Sequence, residues 1–524
     1  MQKLITLKVL PSDAENEIAL REHAAGVVGV GPADVTGFHI VKKSIDARGR
    51  QVWINLSLLV FIHEPFVTRT SQIIHFDKLK KDARKIIVIG SGPAGLFASL
   101  KLLEAGIKPI ILERGKEIRA RRRDLAALNK SGIIDPDSNY CFGEGGAGTY
   151  SDGKLYTRSN KRGNINRILH LFVQFGAEEK ILYEAHPHIG TNKLPQIIAA
   201  IREKIIDCGG EFLFGTKVTD FIIQDNIVKA VKTAEGNVFE GEAIILATGH
   251  SARDIFQLLH NKKILIELKP FALGARVEHP QELIDNIQYH GLQRGTFLPP
   301  AAYSLVQQVT GRGVFSFCMC PGGIIAPAAT NPSELVVNGW SPSKRNNPYA
   351  NSGMVVSVEA ADLAAFEKKH GPLAGMFFQQ AVEQDAFRFG GGKFVAPAQR
   401  MTDFINKKLS SDLPACSYVP GLHAAPLKEL FPAFIYDSLK EAFKHFGKKM
   451  KGYLTNEAVV VATESRTSSP VRIPRDNVTL QHPQLQNLYP CSEGAGYAGG
   501  IISAAMDGEK VAEIICFKAC GQRG

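Results

Sequence analysis

Gly90, Gly92 and Gly95, with Glu113 about 20 residues further on, have the residue types and spacing that hold an adenine dinucleotide. They sit in IIVIGSGPAG, Ile86 to Gly95, where the apolar run Ile86–Ile89 predicts a buried parallel strand. Gly90 permits a tight turn, Gly92 lacks the side chain that would block a pyrophosphate, and Gly95 permits close packing of helix on strand. The helix that starts at Pro93 and Ala94 turns unpaired N–H groups and a positive dipole end toward phosphate. It continues through Leu96, Leu100 and Leu103 to Gly106, and a second strand, Pro109–Leu112, delivers Glu113 and Arg114. A carboxylate at Glu113 accepts ribose hydroxyls and disfavours a ribose 2′-phosphate, which favours FAD or NAD over NADP. A second glycine-rich match, Gly29, Gly31 and Asp34, follows too short an apolar run, and Pro32 with Asp34 starts a helix poorly; it is set aside.

The elements that position these residues belong to a chain of 524 residues, long enough for two or three domains. At 44% hydrophobic and 22% charged it is neither disordered nor fibrous. Met1 leads into an alternating strand rather than a secretion signal. The longest apolar region, Ile86–Ile107, is broken by glycines, Lys101 and Glu104. A cytoplasmic protein without a membrane partner is expected. The eight cysteines form no CxxC or zinc-like grouping, so free thiols and no metal site are expected. The net charge of +11 has one local concentration, Arg119 to Arg123, readable as a solvated helix face or as a contact for phosphate or nucleic acid.

The pattern predicts an α/β fold: a Rossmann-like dinucleotide-binding domain, an inserted mixed α+β domain, and a small N-terminal module of ferredoxin-like type. The expected boundaries are 1–80 for the N-terminal module, 81–261 for the first part of the binding domain, 262–470 for the insertion and 471–524 for the returning part. The module reads as strand Leu4–Leu10, a helix from Asp13, and strands Gly37–Ile45 and Val52–Phe61 joined at Arg48–Arg50. A β-meander is expected between Glu211 and Gly249. The insertion shows strands near Phe271–Val277 and Val314–Met319 and helices near Ser357–His370 and Gly375–Asp385.

Further motifs move the choice of dinucleotide to FAD. The segment SEGAGYAGG resembles the flavoprotein stretch in which an acidic residue and a glycine, here Glu493 and Gly494, bind ribityl and pyrophosphate. A helix then points its N-terminus, here Gly496, Tyr497, Ala498 and Gly499, at the pyrimidine side of the flavin. GEGGAGTYSDGKL resembles the loop lying across pyrophosphate and isoalloxazine, which implies roles for Gly146, Gly148, Thr149, Asp152, Gly153 and Lys154. Ala247, Thr248 and Gly249 resemble the strand end beneath the cofactor, and Val218 matches a position that meets adenine. The chain resembles FAD-dependent oxidoreductases with a glutathione-reductase-type FAD fold. It is similar over nearly its whole length to a bacterial family of poorly characterised FAD-dependent dehydrogenases that share GGAGTYSDGKL, ATGHSARD, FSFCMCPGG and RTSSPVRIPRD.

That resemblance implies bound FAD and redox chemistry without supplying a substrate; the reading is hydride transfer with a small molecule that enters between the two domains, and if NAD(P)H donates electrons its binding is transient, since no second fingerprint is credible. Candidate catalytic residues are Lys154, to hold an anionic substrate, and His250 and Arg253, to orient substrate or move a proton. A cap by Ser251 and a salt bridge by Arg253 explain GHSARD equally well. Arg466, with Thr467 to Ser469, is a candidate for the interdomain cleft. Cys318 and Cys320 form a candidate thiol pair, but the pleat of their strand is expected to part them and leave them structural. The alternatives are an NAD(P)H-dependent flavin monooxygenase and an RNA-associated flavoprotein with structural FAD. No RNA-binding motif supports the latter, and the oligomeric state is left open.

Overall fold

The computed structural model describes residues 1–69, 72–157 and 163–521, with side chains as far as Phe517. The N-terminal module is built from β1 (Gln2–Val9), α1 (Glu17–Val28), β2 (Val35–Asp46) and β3 (Trp53–Ile62), an antiparallel sheet in the order β1-β3-β2. These are the first four of the six elements of a ferredoxin-like unit. Asn16 caps α1 by accepting from the amides of Ile18 and Ala19, and Gly29 ends it at φ 79°. The set-aside glycines are thus a helix C-cap and the turn after it.

The binding domain has a five-stranded parallel sheet. Its strands are β4 (Lys85–Ile89), β5 (Lys108–Leu112), β6 (Glu211–Leu213), β10 (Ala243–Leu246) and Leu488–Pro490, in the order Leu488–Pro490, β10, β4, β5, β6. Apolar residues on both faces, including Ile86, Ile87 and Val88 at 0% exposure, explain why its strands read as continuous hydrophobic runs. Helix α2 (Pro93–Glu104) connects β4 to β5 and packs against the last helix, Ile501–Gly521. Between β5 and β6 the chain detours through α3 (Ile118–Ser131), α4 (Ile165–Gln174) and α5 (Leu194–Asp207). A three-stranded meander, β7 (Val218–Gln224), β8 (Ile227–Thr233) and β9 (Val238–Glu240), precedes β10, and α6 (Arg253–Asn261) follows it.

The inserted domain is a seven-stranded sheet whose central strands are Arg312–Cys320, Tyr349–Val358, Phe271–Pro280 and Val459–Glu464, paired antiparallel in that order. Helices Ala374–Phe389 and Ala433–Lys449 contribute to its core. The helix expected over Ser357–His370 is shorter, Ala364–His370. Val355, Val356 and Val358 are β-branched and buried mid-sheet, so the strand runs on to Val358, and the Asp362 carboxylate then accepts the Glu359 amide.

Gly95 shows how tightly the fingerprint is packed: a Cβ there would lie 2.0 Å from the carbonyl oxygen of Gly90. Gly95→Ala is expected to cost roughly 2–3 kcal/mol. Gly26→Ala, in α1 with nothing within 4 Å of the added carbon, is expected to gain about 0.5–1 kcal/mol. Thermal unfolding of the two variants measures both signs.

Candidate functional site

At the carboxyl ends of β4, β5 and β10 lies a cleft of about 1040 Å³, where an open α/β sheet binds its ligand. Of the predicted residues, Gly90, Gly92, Pro93, Ala94, Glu113, Arg114, Gly146, Gly148, Val218, Ala247, Thr248, Gly249, Glu493, Ala498 and Gly499 line it, and so does His250. The cleft runs into a chamber of about 1170 Å³ against the inserted domain, lined by Asp152, Gly153, Lys154, Cys318, Cys320 and Arg466 among others. Cys141, His250, Glu493 and Gly499 belong to both walls.

Glu113 does more than the fingerprint predicts. Its buried carboxylate accepts the Ser91 amide at 2.9 Å, the Ser91 hydroxyl at 2.7 Å, and the amides of Gly115 and Gly143 at 2.9 and 3.0 Å. It therefore ties the fingerprint turn to the start of the Gly143–Leu155 loop as well as lining the cleft. Arg114 is held by Asp137 and Asp254 and lies 4.1 Å from the centre of the Phe142 ring.

Arg121 sits in the basic run but is neither a solvated face nor a contact for a polymer. Its side chain is fully buried and uses its donors on the carbonyls of Asn139, Tyr140, Glu144 and Gly146 and on Thr149 Oγ1. Arg119, Arg122 and Arg123 are the exposed members. The signal that finds Arg121 is periodicity, since Ile118, Arg121, Leu125 and Leu128 share one face of α3.

Six predicted site residues lie outside both walls. Gly95 packs on Gly90, and Gly494 abuts the backbone of Gly249. Thr149 is spent on Glu144 and Arg121 inside the loop. Gly496 turns at φ 83° against Val471 and Arg472, while the Tyr497 hydroxyl accepts the Arg475 amide and its ring faces two guanidinium groups. Arg253 lies behind the chamber wall rather than in it: it donates to Glu334 at 3.1 Å and to Glu383 at 2.9 Å. Asp152 and Gly153 line the chamber and not the cleft.

Arg466 completes that buried cluster, donating to Glu383, Glu334 and Thr330. One cation of the binding domain, Arg253, and one of the insertion, Arg466, thus share two carboxylates of the inserted domain. Burial would raise the Glu383 carboxyl, but Arg253 and Arg466 outweigh it and hold it at about 2. The same arrangement acts on His250, which burial, Arg466 and Arg253 push down to about 4. At neutral pH its imidazole is uncharged, with Nδ1 2.8 Å from Ser251 Oγ. Ser251 Oγ also donates to Cys141 Sγ at 3.3 Å; the side-chain cap expected of it is absent, because Ala252 is the N-cap of α6. Lys154 Nζ donates to the Met319 carbonyl and lies 3.9 Å from Asp152. Asp152 is itself held by Arg345 at 2.7 Å, a partner 193 residues away; burial opposes its charge, but Arg345 and Lys154 keep its carboxyl low. Cys318 and Cys320 are not parted by the pleat: residues two apart share a face of a strand, and both line the chamber.

The residues present fit a dinucleotide. A Cβ on Gly92 would meet nothing of the protein nearer than 4.0 Å, so its bareness serves space in the cleft. Helix α2 starts there without a side-chain cap, and Thr248 Oγ1 is buried with no partner among the described residues.

An uncharacterized protein of Clostridium beijerinckii is 40% identical over 504 residues, 93% of each chain. This chain belongs to that protein's family. Within the family fold, residues 270–467 match the model described as "FAD-dependent protein, C-terminal domain-like", and residues 1–61 match a domain of unknown function (DUF8436). FAD is the dinucleotide this chain takes. A thiamine thiazole synthase of Aeropyrum pernix is 26% identical over 207 residues, 36% of this chain and 64% of that one. Among solved structures, L-proline dehydrogenase from P. horikoshii is 14% identical and covers 83% of this chain and 93% of its own, with a TM-score of 0.34. No helix among the described residues is long and apolar enough to cross a membrane.

Arg121→Met leaves three buried and two half-buried acceptors without their donor and is expected to cost roughly 3–5 kcal/mol and to release FAD on gel filtration. Arg122→Met, on the exposed face, is expected to change stability by under about 0.5 kcal/mol. A second expectation concerns pH. His188, His250 and His279 are each pushed down to about 4, chiefly by burial. At these three residues the unfolded chain binds more protons than the folded one between about pH 4 and 6.5, so their contribution to stability falls as pH drops through that window. Denaturant midpoints measured across it are expected to decline steadily toward the acid end.

Proposed function

We propose that this protein is an FAD-dependent dehydrogenase acting on a small molecule held in the chamber between the binding domain and the inserted domain. The observation that carries the reading is the shared wall: His250, Glu493 and Gly499 border cleft and chamber alike. FAD bound in the cleft supplies two-electron chemistry, exchanging a hydride with substrate at flavin N5.

The cleft residues divide the task of holding it. The turn Gly90 to Ala94 and the loop at Gly146 and Gly148 receive the pyrophosphate, Glu113 and Val218 face the adenosine end, and Ala247 to Gly249 lie beneath. Glu493, Ala498 and Gly499 take the other end, where the start of the helix Ile501–Gly521 brings a positive dipole that favours negative charge.

In the chamber the neutral His250 imidazole accepts the proton of an O–H or N–H on the substrate carbon that loses its hydride. Lys154, whose side chain is 38% exposed, keeps ammonium donors for an anionic group of the substrate. Tyr140, Phe317, Val337 and Trp340 supply apolar wall that limits water. Arg253 and Arg466 act as positioning residues, fixing the two domains and holding His250 uncharged. A separate electron acceptor takes the two electrons back from the reduced cofactor; NAD(P)H, as a transient donor, fits only the opposite direction, in which the flavin passes a hydride to the substrate.

The test is a purified sample with flavin absorption, reduced anaerobically by NADH, NADPH or members of a metabolite screen. With the substrate so found, His250→Asn is expected to retain FAD and lose about 10²–10⁴-fold in kcat, while Lys154→Ala raises KM more than it lowers kcat. Persistent absence of FAD after reconstitution contradicts the reading.

A further inference from the structure

The strand Arg312–Cys320 pairs in register with Tyr349–Val358 as far as Phe317 opposite Gly353, then resumes with Cys320 opposite Asn351. One extra residue is thus inserted between Phe317 and Cys320, a β-bulge. Cys318 lies in it at φ 46°, a left-handed conformation that a non-glycine residue holds only when its surroundings impose it. What imposes it is Arg276, buried at 0% exposure and paired with Glu464, whose Nη2 donates to the Cys318 carbonyl at 2.6 Å. The same carbonyl accepts from Cys320 Sγ at 3.2 Å, so the second thiol leans back along the strand toward the first.

Met319, between them, joins the apolar core of the inserted domain, while both cysteines line the chamber. Two cations face the pair. Arg276 Nη2 is 3.7 Å from Cys320 Sγ, and Lys154, seated on the Met319 carbonyl, directs its charge at both sulfurs. Glu464 and Asp152 are the facing anions, each already matched by an arginine. Cys320 is buried, and burial pushes its thiol up, while Cys318 is exposed in the chamber wall.

We propose that Cys318 and Cys320 are a redox-active pair that exchanges two electrons with the bound flavin, a role that rests on the FAD reading above. In the oxidising direction both S–H bonds break and one S–S bond forms. The two electrons and two protons released pass to oxidised FAD, giving FADH2. The reverse step returns them, so the chamber wall stores one further reducing equivalent pair beside the cofactor. The bulge sets Cys318 in a left-handed bend of the strand, with the Cys320 thiol against the Cys318 carbonyl.

The experiment uses the holoenzyme, its FAD content first established from absorption, treated with diamide to close vicinal thiols and titrated anaerobically with dithionite. The wild type is expected to take up about four electrons per FAD, and Cys318→Ser and Cys320→Ser about two. Peptide mapping of the oxidised wild type is expected to find Cys318 linked to Cys320, a readout that stands even where a serine variant fails to fold. Uptake of about two electrons by the wild type, free alkylatable thiols at both positions, or a link from Cys318 to Cys141 overturns the proposal. A preparation that never retains FAD contradicts the cofactor reading, and the peptide map still decides whether the pair closes.

Discussion

The buried guanidinium of Arg121 is the constraint on which the site depends. Its donors reach four carbonyls and one hydroxyl of the stretch from Asn139 to Thr149, a loop otherwise too rich in glycine to hold one shape. The Glu113 carboxylate does the complementary work, gathering amides and a hydroxyl from the fingerprint turn and from Gly143. One cation and one anion, both removed from water, fix two glycine-rich segments as a single surface before any ligand arrives. Charge-assisted hydrogen bonds in a dry interior are strong enough for this because every donor is matched. The cleft is therefore preorganised, and the glycines are free to serve the ligand's shape.

A second buried network sets the chemistry of the chamber. Arg253 and Arg466 share Glu334 and Glu383 across the junction between the binding domain and the insertion. That cluster fixes the two domains against each other, and its cations also lower the affinity of His250 for a proton. A residue chosen for structure thus tunes a neighbouring residue suited to proton transfer. Arg276 and Glu464 repeat the pattern on the opposite wall, where a matched ion pair holds the bulge at Cys318.

Local order was legible in the residues wherever one period dominated. The run Ile86–Ile89, the helix from Pro93 and the acid at Glu113 stand as the pattern predicts, because a buried strand, a tight glycine turn and a helix leave strong signatures over a short stretch. The cleft residues that follow β4, β5 and β10 meet because these strands are parallel and end at one side of the sheet. What stayed hidden depends on long-range partners. Asp152 reads as a cofactor contact until Arg345 claims it, and Arg253 reads as catalytic until Glu334 and Glu383 draw it away. Arg121 was within reach of helical spacing, yet a run of five residues rich in arginine reads more readily as a charged face. The bulge at Cys318 has no local sequence signature at all; it follows from the pairing of two strands and a guanidinium brought from a third.

The most direct measurement is a crystal structure of the protein with FAD bound. The account predicts the pyrophosphate on the amides of the Gly92–Ala94 turn and against Gly146, with the isoalloxazine edge that carries N5 opening onto His250, Lys154 and the Cys318–Cys320 wall. A flavin ring turned away from that chamber, or a pyrophosphate bound elsewhere than the turn, would contradict it.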